Sequence, residues 1–438
     1  MRNAVLLLPA SLLLVACPQP VEAPISACIA SAPSDITLVQ GGRARIPLAP
    51  ALAAELLEVD GDGITVTLEG DAVLVRAGYE TGSASVALHC EDGSAEVAVS
   101  IVALRMEPLR TWDHRAGEGP AGREYFAWWI TPSEPDVLWL YGGFVYEPRQ
   151  FTPSTEAWRL DLRTTSWTPL ESVGIAPPPG GRIAPGPGGA MLYFGGAEIA
   201  ADGSLDTPPV LARVEASADT MVFDDMPAAG AIGSYTGAMV HDAARGRWLS
   251  VCGADTRVLG LHCEVHAYTP ETGFVALDVE GTYPPGRYGF HYALDAETDR
   301  VIVFGGQVGP NNEDLLGDTW ALELAPDGDA SRPRWVLLAD DGEGALGRRN
   351  GAYALDPEGH RLFVWGGTPD GRVSVPGLDV LSLDRGSEAW THLDLPSEIP
   401  PRTSGAGVYD AARGRILFGF GNDDAIFTDL YALGVVAE

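Results

Sequence analysis

The stretch Asp295-Ala-Glu-Thr-Asp-Arg-Val-Ile-Val-Phe-Gly-Gly306 carries the pattern that recurs along most of the chain. Its aspartate and arginine stand five residues apart, and the spacing returns at Asp242 and Arg247, Asp356 and Arg361, and Asp410 and Arg415. Each copy follows an alternating apolar run and precedes a β-branched or aromatic one, with turn-formers between, so each predicts strand, tight turn, strand. The second strand ends in small residues: Gly142-Gly143, Gly195-Gly196, Cys252-Gly253, Gly305-Gly306, Gly366-Gly367 and Gly419-Phe420-Gly421. Their last glycines lie 53, 57, 53, 61 and 54 residues apart. A period in the fifties built from four short strands predicts an all-β propeller.

Third strands are expected at Trp158–Asp161, Trp320–Glu323, Val380–Asp384 and Tyr431–Leu433. Fourth strands are expected at Ser166–Leu170, Phe274–Leu277, Arg334–Leu338 and Ala389–Leu393. Paired glycines, a downstream Trp or Tyr and a final Trp-x-x-Leu together resemble the kelch repeat, over residues 105–438 and in six copies. The resemblance implies a six-bladed kelch β-propeller. Copy two (Gly180–Met226) is degraded and copy three has Cys252 at the first glycine position. The last copy lacks a fourth strand, which residues 108–112, Pro-Leu-Arg-Thr-Trp, are expected to supply by pairing with the last blade. That closure removes sheet edges.

Before the repeats, Met1-Arg2 and the apolar run Ala4–Ala16, interrupted by Pro9, read as a secretory signal over residues 1–16, too short to span a bilayer. It ends Leu14-Val15-Ala16-Cys17, which resembles the lipobox of bacterial lipoproteins and implies acylation of Cys17. Pro18 after the cysteine favours the outer over the inner membrane in that resemblance. Several acyl chains on one residue anchor stably. Residues 17–27 form a Pro-rich tether. Residues 28–104 alternate at period two with Gly/Asp turns and are expected to form a small β-sandwich that resembles a bacterial immunoglobulin-like domain, serving as a spacer.

An exported chain meets an oxidising compartment, where cysteine pairing is the default. The five cysteines then divide into lipidated Cys17 and two expected disulfides, Cys28–Cys90 and Cys252–Cys263. The formal net charge is −32, and every one of the 28 basic residues is arginine. Without a basic footprint nucleic acid is excluded as a partner. Without lysine, Schiff-base chemistry and Walker-type phosphate loops are excluded too.

Arginine recurs ahead of the first strand at Arg123, Arg182, Arg287, Arg348 and Arg402, with Ser234 in its place in copy three. In kelch-like propellers the first strand lines the axial channel, so these six positions are candidate ligand-binding residues at one mouth. Guanidiniums there can hold a carboxylate or anionic sugar, or staple blade to blade. Tyr235, Tyr288 and Asn350 are the adjacent rim positions.

His262-Cys263-Glu264-Val265-His266 lacks an evident third metal ligand, so no metal or other cofactor is expected. The acidic loops Asp60-Gly-Asp62, Asn311–Asp314 and Asn422–Asp424 admit calcium but do not fit EF-hand spacing. Neighbouring Trp128 and Trp129 point to opposite faces, so only one can face the channel.

No nucleophile, base and orienter stand together. The expected function is therefore a lipid-anchored, monomeric binding or scaffold module for a protein or glycan of the cell envelope. The alternative is a carbohydrate-active propeller resembling sialic-acid mutarotases or lectins. The copper galactose-oxidase type is disfavoured because the cysteines are committed. Replacing Cys17 with serine is expected to move the protein from the membrane to the soluble fraction; unchanged membrane recovery would remove the lipid anchor.

Overall fold

Across each of four hairpins the turn aspartate and arginine face one another as the last pair of the ladder: Asp242 with Arg247, Asp295 with Arg300, Asp356 with Arg361 and Asp410 with Arg415. In every case arginine Nε donates to the aspartate carboxylate, at 2.8, 3.2, 2.9 and 2.9 Å. The other carboxylate oxygen accepts from a turn N–H in three of them, from Arg245, Thr298 and Gly359. One aspartate thus closes the turn and pins the strand after it.

The computed structural model describes residues 33–48, 56–69, 72–90, 93–146, 151–257, 260–309, 314–326, 328 and 332–434. The signal, Cys17, the tether and Cys28 lie outside the described residues, as does the side chain of Cys90.

The described chain divides into two units. In the first, a four-stranded sheet (Asp35–Val39, Gly93–Val102, Gly82–Cys90, Leu56–Asp60) and a three-stranded one (Arg43–Pro47, Ala72–Ala77, Ile64–Glu69) share a core. That core contains Leu38, Ile46, Val73, Val75, Val86, Leu88, Val97 and Val99, supplied by inward positions of both sheets.

The second unit is a series of four-stranded antiparallel sheets. Their first strands are Ala127–Thr131, Arg182–Pro185, Ala238–Asp242, His291–Asp295, Ala352–Asp356 and Ala406–Asp410. Each packs on the next and the last packs on the first, closing a ring. The final sheet takes its outer strand from Arg105–Thr111, antiparallel to Asp429–Gly434. The sheets of copies one and two are joined: Ser166–Gly174 runs four residues past its pairing with Ala157–Asp161, and its free end pairs in parallel with Thr220–Asp225. Large apolar side chains fill the seams between neighbouring sheets, as Val303 and Trp320 of copy four pack with Val251 and Val265 of copy three.

Every strand-ending glycine pair has positive φ, and so do Cys252 (50°) and Phe420 (58°), which replace the first glycine. A side chain at Gly195 or Gly366 would meet the carbonyl of Ser234 or Arg402 at 2.0 Å. That is why the pair is glycine there. The amides of Gly196, Gly306, Gly367 and Gly421 donate to the carbonyls of Ser234, Arg348, Arg402 and Arg123, each in the following copy.

On the hairpin-turn side, His360 sits between Asp295 (2.9 Å) and Asp384 (3.1 Å). Burial disfavours the imidazolium, but the two carboxylates outweigh it and push the pKa up to about 9. Because the folded pKa is raised above its ordinary value near 6.5, this stabilisation is complete below about pH 6.5 and is lost as pH rises through about 9. Wild type is therefore expected to lose more stability than His360→Gln between pH 6.5 and 9.5 in denaturant titrations. Equal slopes would mean His360 is neutral.

Candidate functional site

Both chain ends of the inner hairpin, the start of the first strand and the glycine-terminated end of the second, lie at one mouth of the ring. A left-handed residue precedes each first strand: Tyr125, Gly180, Thr236, Gly289, Asn350 and Ser404. Two residues before it stand Arg123, Pro178, Ser234, Arg287, Arg348 and Arg402. Arg182 lies two residues after its left-handed glycine, level with Ala127, Ala238, His291, Ala352 and Ala406. The arginines therefore do not form one ring: Arg182 belongs to another register.

Arg123, Arg287 and Arg402 are 0 % exposed and Arg348 1 %. Arg287 donates to both oxygens of Asp318 (2.6 and 2.9 Å) and to the Gly305 carbonyl (3.0 Å). Arg402 binds Asp429 and the Phe420 carbonyl (3.1 Å), and Arg123 binds Glu156 (2.7 Å) and the Gly142 carbonyl (2.8 Å). Arg348 pairs with Asp379. Each of the first three ties the end of the second strand to the acid at or just before the start of the third. Arg402 also stacks within 4.4 Å of the Trp365 ring and 4.1 Å of Phe427. All four guanidiniums are buried against acids of the protein and absent from the channel lining, although Arg348 Nε and Arg402 Nε have no hydrogen-bond partner.

Copy three closes the same corner covalently. Ser234 replaces the arginine and is buried. Cys252, at the first glycine position, is disulfide-bonded to Cys263, and the acid position next to it holds Glu264. The bond ties the same strand end to the residue just before that acid position.

The channel behind the mouth is a cavity of about 530 Å³ lined by Tyr125, Phe126, Trp128, Tyr292, Tyr353 and Tyr409, with Arg182 as the charged side chain on its wall. Arg182 Nε donates to the Gly237 carbonyl (3.0 Å) and Nη1 to that of Gly181 (3.4 Å). Of the Trp pair, Trp128 lines the channel and Trp129 lies in the seam with copy two. His291, level with Arg182, is fully buried. Its Nε2 accepts from Gly351 N–H (2.9 Å), and burial drives its pKa down to about 3, so the ring is neutral.

At the rim, Asn350 Nδ2 donates to Tyr125 Oη (2.8 Å), Arg349 Nη1 to Tyr288 Oη (3.1 Å) and Tyr288 Oη to Gln307 Oε1 (2.9 Å). The Tyr125 and Tyr235 rings are 5.7 Å apart. Beside them burial pushes the Glu124 carboxyl up to about 7 against the pull of Arg349. Sequence reasoning did not single out Glu124, Tyr125 or Arg349. Their only signal is adjacency to the stapling arginines.

Among the described residues no group of three or more His, Cys, Asp or Glu is placed to hold a metal ion. In the acidic loop near Asp424, Asp423 accepts from Ser374 Oγ (2.6 Å) and Asn422 Oδ1 from Thr403 Oγ1 (2.6 Å). Asn311–Glu313 lie outside the described residues.

A ring of four-stranded sheets with glycine-terminated second strands defines a β-propeller. Residues 240–438 match the family model of the KLHDC2/KLHL20/DRC7 Kelch-repeats domain, so the repeats over that stretch are kelch repeats, and the second unit has the fold of a kelch-type propeller. The solved structure of YjhT has the same fold, with a TM-score of 0.52 at 13 % identity over 73 % of this chain and 96 % of that one. No curated protein sequence matches the chain.

Replacing Cys252 and Cys263 with serine is expected to cost about 3 kcal/mol by the chain-entropy estimate. Rebuilding the guanidinium corner in the same chain, with Ser234→Arg, Cys252→Gly and Cys263→Ser, is expected to recover part of that loss through Glu264. Denaturant melts check both; no recovery would mean the two corners are not equivalent.

Proposed function

We propose that the chain is an exported, six-bladed kelch propeller that acts as a non-enzymatic binding or scaffold module, holding a protein or glycan partner at the channel mouth. Cys17 anchors it to the outer membrane, residues 28–104 form an immunoglobulin-like spacer, and it works as a monomer.

One observation carries this reading. Among the described residues of the propeller unit, seven of the ten exposed large apolar side chains lie on mouth-side segments, Tyr146, Phe151, Ile199, Leu205, Tyr283, Leu346 and Val373, and the other three, Val173, Val275 and Leu337, lie on outer strands. The first four sit on two short hairpins, Phe144–Tyr146 with Phe151–Pro153 and Glu198–Ile199 with Leu205–Asp206, and oppose one another in pairs. The described hairpin turns on the other face carry none. Clustered exposed apolar surface on one face is the mark of an interaction site. The kelch fold is compatible with this and with much else, so the face carries the argument.

A second reading, a carbohydrate-active propeller, is favoured by Glu124, a buried carboxyl raised to about 7 beside the channel phenols. A group poised near neutrality suits proton transfer.

The combined variant Tyr146→Ser, Phe151→Ser, Val373→Ser is expected to abolish partner recovery from envelope extracts while melting as wild type does. Undiminished recovery would move the binding face elsewhere. Turnover of a sugar by wild type, lost in Glu124→Gln, would replace the scaffold reading with the enzymatic one.

A further inference from the structure

We infer that the central channel holds a site for a small organic carboxylate, with Arg182 as its anion contact. The loops of the partner face take no part in it, so it stands or falls independently of the reading above.

Arg182 is singular among the arginines at the inner strands. Arg123, Arg287, Arg348 and Arg402 each have an acid within 4 Å. No carboxylate of the described residues lies within that distance of Arg182. It donates to two backbone carbonyls, which hold Nε and one hydrogen of Nη1, and it is hydrogen-bonded to the Tyr353 phenol, a neutral partner. Those bonds fix the plane and leave the Nη1/Nη2 edge with hydrogens to donate. That edge meets a carboxylate end-on through two parallel hydrogen bonds.

The surroundings supply no compensating charge. The side chains lining the cavity include no acid. Tyr193, Tyr235, Tyr292 and Tyr353 stand around the guanidinium, and burial holds Tyr193, Tyr235 and Tyr353 in the neutral phenol form. His291 is neutral and committed to Gly351. The channel interior therefore carries one positive charge, which one carboxylate neutralises.

Size and walls set the rest of the ligand. About 530 Å³ falls in the range of small-molecule sites, roughly 300–1,000 Å³. Aromatic rings on several sides offer stacking faces to a flat or ring-shaped body. A second fixed cation for a dianion is missing from the lining, since Arg349 is spent on Tyr288 at the rim.

The test uses the mature chain, followed by isothermal titration and by tryptophan fluorescence, which Trp128 on the cavity wall reports. Benzoate and glucuronate are compared with their neutral counterparts benzamide and methyl glucoside, and with inorganic phosphate. The carboxylates are expected to bind about tenfold or more tighter than the neutral compounds, and Arg182→Gln to erase that difference. If Arg182→Gln does not fold, Ala406→Phe, which fills the cavity from another strand, is expected to remove binding. Carboxylates no tighter than amides, binding unchanged in Arg182→Gln or Ala406→Phe, or phosphate as tight as the carboxylates would each overturn the assignment. If neutral peptides or glycans bind at the mouth while carboxylates do not, the partner-face reading survives and this one fails.

Discussion

A guanidinium withdrawn from water must be enclosed by oxygen, and that requirement shapes the inner corner of the kelch unit. In copies one, four and six one arginine satisfies the strand-end carbonyl and the acid before the third strand together. Such a pair adds little net energy against a well-packed apolar alternative, but breaking one partner leaves a stranded charge. Its value here is geometric. It fixes where the second strand stops, and the glycine pair follows because the next copy's backbone lies against it. Amide bonds from glycine to the following copy then set neighbouring sheets at one distance around the ring.

The fold was legible because its signals are local and repeated. A five-residue aspartate-to-arginine spacing names a cross-strand ion pair across a tight turn, and two glycines name left-handed backbone. Nothing as local announces the parallel pairing of Ser166–Gly174 with Thr220–Asp225, which depends on a strand overrunning its partner.

The candidate site was legible only in part. Counting back from the turn aspartate locates the stapling position in copies three to six. Copy two has no such aspartate, so proximity to the first strand made Arg182 look like a fifth staple. The left-handed Gly180 is the marker that places Pro178 there instead. The same register error, undone, turns Arg182 from one member of a set into the one arginine at the inner strands that faces the channel without an acid. Residue type was a poor guide to availability: five identical side chains comprise four that are paired with an acid and one that is not. Glu124 and Arg349 escaped notice because their meaning comes from copies one and five meeting across the mouth.

The outer strand of the last sheet, Arg105–Thr111, pairs with a strand that lies more than 300 residues later in the chain. Its pairing is among the most non-local in the chain, and non-local pairings are slow to form. Until it forms, the nascent ring has two open sheet edges and exposes the seams on which neighbouring sheets close. The step that commits the ring to a shape therefore waits for the strands of the last copy. Once joined, the ring has no open sheet edge from which to unravel, so its persistence is set by an unfolding rate more than by the depth of any one contact.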